Sequence, residues 1–187
     1  MNSPVILTQT DFFEDFSSTK EAIVQSEFKD HVVEHEGISY PMICKDLPRG
    51  VRYEFLYKLE HALGARISPN FIFARAMPQG VRAVNAIHSD RDMGSLTAHV
   101  YIGGCKDSYT AFYEHREFGM APEAHVGQEH FDSHNFTHFK EYMRVMAIKN
   151  MLHVHHSAPF HCAHPTEGKG ADLNTSRLVL TCFFNLL

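Results

Sequence analysis

His88-Ser89-Asp90 sets an imidazole and a carboxylate two residues apart. Residues 86–90 read as extended, and side chains two apart on a strand point the same way. A nitrogen ligand and an oxygen ligand would then converge on one point from stiff backbone. A third ligand from another strand would complete a two-histidine, one-carboxylate triad. Such a triad occupies one face of an octahedral Fe(II) and leaves three positions open. H-x-D by itself is more often two polar residues of a surface turn, so the rest of the chain has to decide. Downstream stand His161, just past a break at Pro159, and Arg177, at the head of the apolar run RLVLTCFF. Histidine makes up 15 of 187 residues, and it is the commonest metal ligand.

Other polar residues compete for attention. His130, His134 and His138 recur every four residues among Gln128, Glu129, Asp132 and Ser133 without an H-E-x-x-H pattern, and read as a solvated face. His153 and His155 share one face of a candidate strand and are expected to be satisfied structural histidines. Arg75 stands in the apolar stretch FIFARAMP. A cation there is costly unless paired, so it needs either a structural ion pair or a carboxylate of a substrate or co-substrate. Phe112, Tyr113 and Phe160 read as core.

The elements around these residues follow from period and punctuation. Ser18 and Glu21 have capping-box spacing and predict a first helix over 18–30. Val51, Phe55, Leu59, Ala62 and Leu63 form one apolar face, and Gly64 suits a helix end, so a second helix is expected over 49–63. Beyond it, short β-prone runs at 70–77, 86–90, 96–102, 109–115, 146–156 and 177–184 are separated by Gly and Pro. The spacing of Phe136, Phe139, Tyr142, Met143 and Met146 predicts a short helix over 132–146. Many short strands without alternating helices imply a mainly β protein with N-terminal helices, in an antiparallel sandwich or barrel. A single domain over 1–187 is expected, with 1–69 as helical support for a β core over 70–187.

Composition removes several function classes. Seventeen basic against 22 acidic side chains give a net charge of −5, and without basic clusters no nucleic-acid partner is expected. No apolar run approaches the about 20 residues that cross a bilayer. Residues 1–16 lack the basic start of a secretion signal. The four cysteines show no paired spacing, so a cytoplasmic protein with reduced thiols and no membrane partner is expected.

Taken together, IHSD, APFHCAHPTEGKG and SRLVLTCFF form an H-x-D … H … R series over about residues 70–187. In this the chain resembles the Fe(II)- and 2-oxoglutarate-dependent oxygenase superfamily, in its small prolyl-hydroxylase-like form. The resemblance implies a double-stranded β-helix, or jelly roll, with iron held by His88, Asp90 and His161. It implies 2-oxoglutarate and O2 as co-substrates. Arg177 matches the arginine that takes the distal carboxylate of 2-oxoglutarate, a role suited to a bidentate guanidinium. Tyr101 and Thr181 would add hydroxyls to that carboxylate. Thr97 and His99 share the Tyr101 face. The implied activity is hydroxylation of an unactivated C–H bond of a small-molecule, amino-acid or peptidyl substrate, with release of succinate and CO2.

The span from His161 to Arg177 is longer than the family's usual step and reads as an inserted loop, which adds little entropic cost. Among His155, His156, His161 and His164, the family context favours His161 as the distal ligand, with His164 second. Asp92 ranks below Asp90. Two rival readings remain: a cupin-type metalloenzyme that does not use 2-oxoglutarate, and a non-catalytic jelly-roll binding module.

Overall fold

The structure is a computed structural model that describes residues 3–33, 38–84, 86–104, 107–120 and 132–187. Its elements in chain order are β1 (Val5–Gln9), α1 (Phe16–Val24), β2 (Lys29–Val33), β3 (Ile38–Cys44), α2 (Arg49–Leu63) and β4 (Ile67–Met77). There follow β5 (Leu96–Gly103), β6 (Tyr109–His115), β7 (Phe139–Met146), β8 (Leu152–His156), β9 (Phe160–His164) and β10 (Arg177–Leu186). All pairings are antiparallel. One sheet has seven strands in the order β1-β8-β5-β10-β4-β3-β2, and the other has three in the order β7-β6-β9.

The large sheet has two unlike faces. Ile72, Ala74 and Ala76 of β4, Leu96, Ala98, Val100 and Ile102 of β5, Leu152 and Val154 of β8, and Leu178, Leu180, Cys182 and Phe184 of β10 pack with Ile23 of α1 and Val51, Phe55 and Leu59 of α2. Alternation then sends Phe73, Arg75, Thr97, His99, Tyr101, His153, His155, Arg177, Val179 and Thr181 to the other face. That face meets the small sheet, where Tyr101 and Val179 pack with Phe112 and Val145.

The second helix spans its expected residues, and Gly64 ends it at φ 63° with its N–H on the carbonyls of Glu60 and His61. The first helix differs from expectation. Asp15 caps it, accepting from Ser18 N at 3.0 Å, and it stops at Val24. A carboxylate is at least as good a cap as a serine hydroxyl, so the helix starts three residues before the capping-box reading would place it.

The helix expected over 132–146 is instead a 3-10 turn over Phe136–His138 followed by β7. Phe112 faces Met143 but Tyr113 faces Glu141, so Tyr142 sits at a bulge. The bulge interrupts the two-residue period and imitates helical spacing. The strand expected over 146–156 is divided between the end of β7 and β8, with Asn150 at φ 59° in the turn between them. His130 lies outside the described residues. His134 and His138 are exposed there, and no helix aligns them.

The long connection from β9 to β10 lies against residues 77–83. Gly168 N donates to Val81 O at 2.7 Å, and Lys169 N to Met77 O at 3.1 Å. A Cβ on Gly168 would fall 1.9 Å from the Pro78 carbonyl oxygen, so this close approach requires glycine.

Burial predicts where stability resides. Leu59→Ala should lower unfolding free energy by about 2–5 kcal/mol in urea titration, because Leu59 is fully buried between α2 and the sheet. Tyr57→Ala, on the exposed side of the same helix, should change it by about 0.5 kcal/mol or less.

Candidate metal centre

His88, Asp90 and His161 come together, with one ligand atom from each, all within 4.8 Å of one another. His161 Nε2 lies 3.1 Å from Asp90 Oδ2, and His88 Nε2 lies 3.5 Å from Asp90 Oδ1. The backbone that delivers them is not the regular strand expected at 86–90. His88 and His161 form one isolated bridge, exchanging N–H···O bonds of 3.0 and 2.9 Å. Asp90 then leads into a 3-10 turn over Arg91–Met93. Ser89 explains the early end: its hydroxyl donates to Ala158 O at 2.9 Å, and Asp90 N donates to Ser157 O at 2.9 Å. A bridge and a tethered turn, not a pleat, aim the two ligands.

The ring tautomers follow from the hydrogen bonds. His88 Nδ1 lies 3.2 Å from Ala86 O and His161 Nδ1 lies 3.0 Å from Pro159 O. A carbonyl only accepts, so each Nδ1 carries hydrogen and each Nε2 can present a lone pair to a metal.

Burial pushes the His88 imidazole down to about 4, against the pull of the Asp90 carboxylate. Burial works to raise Asp90, but the imidazoles of His88 and His161 outweigh it and hold the acid at about 2. For His161, burial is outweighed by the charge of Asp90 and its hydrogen bond, and the imidazole rises above its usual value. Without a metal, Asp90 favours the protonated form of His161. A divalent cation would take that proton's place, as metal binding at histidine generally does. The donor set of two imidazoles and a carboxylate suits Fe(II).

Along the polar sheet face, Arg177 lies with its guanidinium carbon 5.8 Å from the centre of the Tyr101 ring. Its Nη2 reaches Thr110 Oγ1 at 3.5 Å, and Tyr101 O–H is 3.0 Å from the same oxygen. Thr110 was missed in the sequence, although it stands two residues before the inward Phe112 on β6. Thr181 pairs with His99 across the sheet, with Oγ1 3.1 Å from Nδ1. Thr97 lies elsewhere: it faces His155 on the neighbouring strand, and its hydroxyl is 2.7 Å from that of Ser157.

Between Arg177 and the triad runs a wall of imidazoles. The rings of His153 and His155 are centred 5.0 Å apart, and those of His155 and His161 4.9 Å apart. The Phe112 ring meets both His153 and His155 edge-on. The expectation that these two are satisfied structural histidines fails. Both ring nitrogens of His153, and Nε2 of His155, are buried without a hydrogen-bond partner. Burial holds His153 down to about 3, and holds His99 and His155 well below the usual histidine value.

Of the alternative ligands, His155 lies beside His161 but outside the three-residue group, and the others are engaged or exposed elsewhere. His164 Nε2 is 2.6 Å from the Tyr113 hydroxyl, and its ring stacks on Tyr109. His156 and Asp92 are exposed. Phe112 and Phe160 are fully buried, as core residues should be.

No family model matches the sequence, and no curated protein matches it. The fold does find relatives. A structure of SnoN, described as a non-heme alpha ketoglutarate dependent epimerase from nogalamycin biosynthesis, aligns with 95% of this chain and 77% of its own at 13% identity, TM-score 0.56. SnoN in complex with Fe3+, alpha ketoglutarate and nogalamycin RO aligns over the same shares at 11% identity, TM-score 0.57. A prolyl hydroxylase from Trichoplax adhaerens, bound to a hypoxia inducible factor peptide, aligns with 95% of this chain and 82% of its own at 11% identity, TM-score 0.54. The chain has their fold. The resemblance carried by H-x-D … H … R is therefore matched by a resemblance in three dimensions, to proteins described as alpha-ketoglutarate-dependent or as a prolyl hydroxylase. Among the described residues no helix is long and apolar enough to cross a membrane.

The buried imidazoles predict an acid-sensitive metal-free protein. Histidines with lowered values stay neutral when folded but take up protons in the unfolded chain below about pH 6.5. The unfolded state then binds more protons, so stability falls as pH drops from about 6.5 toward 4. His161 has the opposite sign, its contribution being lost as pH rises through its raised value. Four lowered groups (His88, His99, His153 and His155) outnumber it. Each contributes a slope of up to about 1.4 kcal/mol per pH unit. Urea midpoints in chelator should fall steeply over that range, and His153→Leu should remove about one proton from the slope. A flat profile would contradict the burial described here.

Proposed function

We propose that this chain is an Fe(II)- and 2-oxoglutarate-dependent dioxygenase with a double-stranded β-helix core, and that it hydroxylates an unactivated C–H bond. The substrate class is a small molecule or an amino-acid or peptidyl side chain. The observation that carries this reading is the convergence of His88, Asp90 and His161 from a backbone bridge and a tethered turn. Arg177 stands further along the same polar face and supports 2-oxoglutarate over the cupin-type alternative, in which no arginine is required. The single-domain organisation over 1–187 belongs to the same proposal.

Bound Fe(II) would supply oxidation by O2, coupled to conversion of 2-oxoglutarate to succinate and CO2. The chain's own residues would do the rest. His88 and His161 would offer Nε2, their Nδ1 hydrogens committed to Ala86 O and Pro159 O. Asp90 would contribute its carboxylate, which lies 3.1 Å from His161 Nε2 and 3.5 Å from His88 Nε2. These three residues would hold the metal and leave it able to take co-substrate and O2.

Arg177 would receive the distal carboxylate of 2-oxoglutarate in a charge-assisted pair. Tyr101 and Thr110, linked to each other at 3.0 Å, would hold the guanidinium and add a hydroxyl. Thr181, on the same strand face, would add another. Phe112 and the neutral histidines would keep water from the space between. Thr97, hydrogen-bonded to Ser157, would brace the segment that accepts from Asp90 N.

The test is anaerobic loading with Fe(II), followed by titration with 2-oxoglutarate while a visible charge-transfer absorption is recorded. One iron per chain is expected. Asp90→Ala and His161→Ala should each lose iron while remaining folded by circular dichroism. Arg177→Gln should keep iron and weaken 2-oxoglutarate by at least about tenfold, as loss of one partner of a buried charge pair does. Full iron affinity in Asp90→Ala would remove the triad. Unchanged 2-oxoglutarate affinity in Arg177→Gln would favour the cupin-type alternative.

A further inference from the structure

Arg75 has no role in the scheme above, yet it occupies the same face. It lies directly across from Val179 of β10, whose other neighbour is Tyr101 of β5. Its strand neighbours Ala74 and Ala76 are in the helix-side core, so its own side chain is on the metal side. The guanidinium carbon is 5.9 Å from the centre of the Tyr40 ring. Its Nε and Nη2 are buried without an acceptor. No acidic side chain among the described residues forms an ion pair with it. A buried guanidinium left in this state is strongly unfavourable, so the protein retains it against its own stability.

Arg75 and Arg177 lean toward different flanks of the sheet, Arg75 on Tyr40 of β3 and Arg177 on Tyr101 of β5. The side chain of His161 is only 5% exposed, whereas that of His88 is 26% exposed. Arg177 sits with the Tyr101–Thr110 pair, whereas Arg75 lies on the β3 flank apart from that pair, and His88 is the more open of the two histidines.

The charges agree. The carboxylate whose charge acts on Arg75 is that of Asp90, and a divalent cation would engage it. The positive charge of Arg75 is left over among the described residues. Resting on the dioxygenase reading, we propose that Arg75 anchors the primary substrate and that this substrate carries a carboxylate. The fork of a guanidinium matches that group bidentately, and holding it at Arg75 would turn the rest of the molecule toward the open face of the metal.

The experiment uses full-length protein loaded anaerobically with Mn(II), with propionate as probe and propionamide as its uncharged control. With 2-oxoglutarate saturating, propionate should raise the melting temperature of the wild type by a few degrees beyond propionamide. Arg75→Gln should abolish that increment and keep 2-oxoglutarate affinity within about threefold, whereas Arg177→Gln should lose about tenfold or more. Arg75→Met should melt no lower than wild type without anion, since it removes an unpaired buried charge. A structural arginine would make it melt lower.

Equal propionate responses in wild type and Arg75→Gln would overturn the proposal. So would a loss of 2-oxoglutarate affinity in Arg75→Gln as large as in Arg177→Gln, which would make Arg75 a co-substrate residue. If wild type does not bind 2-oxoglutarate at all, the dioxygenase reading fails. The Arg75-dependent response to propionate in Mn(II)-loaded protein then judges the anion site separately.

Discussion

A strand that alternates can bury two unlike surfaces, and here four central strands do so at once. Apolar residues of β4, β5, β8 and β10 face the two helices, which releases the alternate positions from any duty to the main core. Those positions hold arginine, histidine, threonine and tyrosine. They can be polar and still lie inside the protein because the three-stranded sheet covers them. The bridge between His88 and His161 then ties the triad to the cover. Support and site thus belong to different faces of the same strands.

The cost of that arrangement is visible in the unpaired groups. Ordinary interiors satisfy nearly every buried polar atom, yet His153, His155 and Arg75 keep ring or guanidinium nitrogens without partners. Neutral imidazoles keep the penalty moderate, since burial removes their charge before it removes their hydration. An arginine has no such escape, because it does not deprotonate under ordinary conditions. These unpaired groups are retained at the expense of stability.

Much of this was legible in the sequence. The helix over 49–63 was readable because its apolar stripe and the glycine after it agree. β5 and β10 were readable from their apolar runs, and H-x-D with a later histidine and arginine located the triad. Four strands were not read: β1, β2 and β3 lie at or near the sheet's edges and mix polar with apolar residues, and β9 is only five residues long, so they carry little periodic signal. β7 was misread because the bulge at Tyr142 breaks its alternation. The missing partners of Arg75, His153 and His155 could not be read at all. Absence of a neighbour is a property of three dimensions, and residue types do not encode it.

The two-faced strands also limit how this protein can change. A one-residue slip in the register of β10 would bring Leu178, Leu180 and Cys182 toward the triad and turn Arg177 and Thr181 into the helices. Length variation in such a strand is tolerated in pairs of residues or at its ends. Point substitution is freer, since it leaves the register of the strand in place. Descendants of this chain would therefore diversify by exchanging side chains in place at 73, 75, 99, 153 and 155. Insertions would accumulate in the connections, and even there Gly168, pressed against the Pro78 carbonyl, would mark a point they must go around.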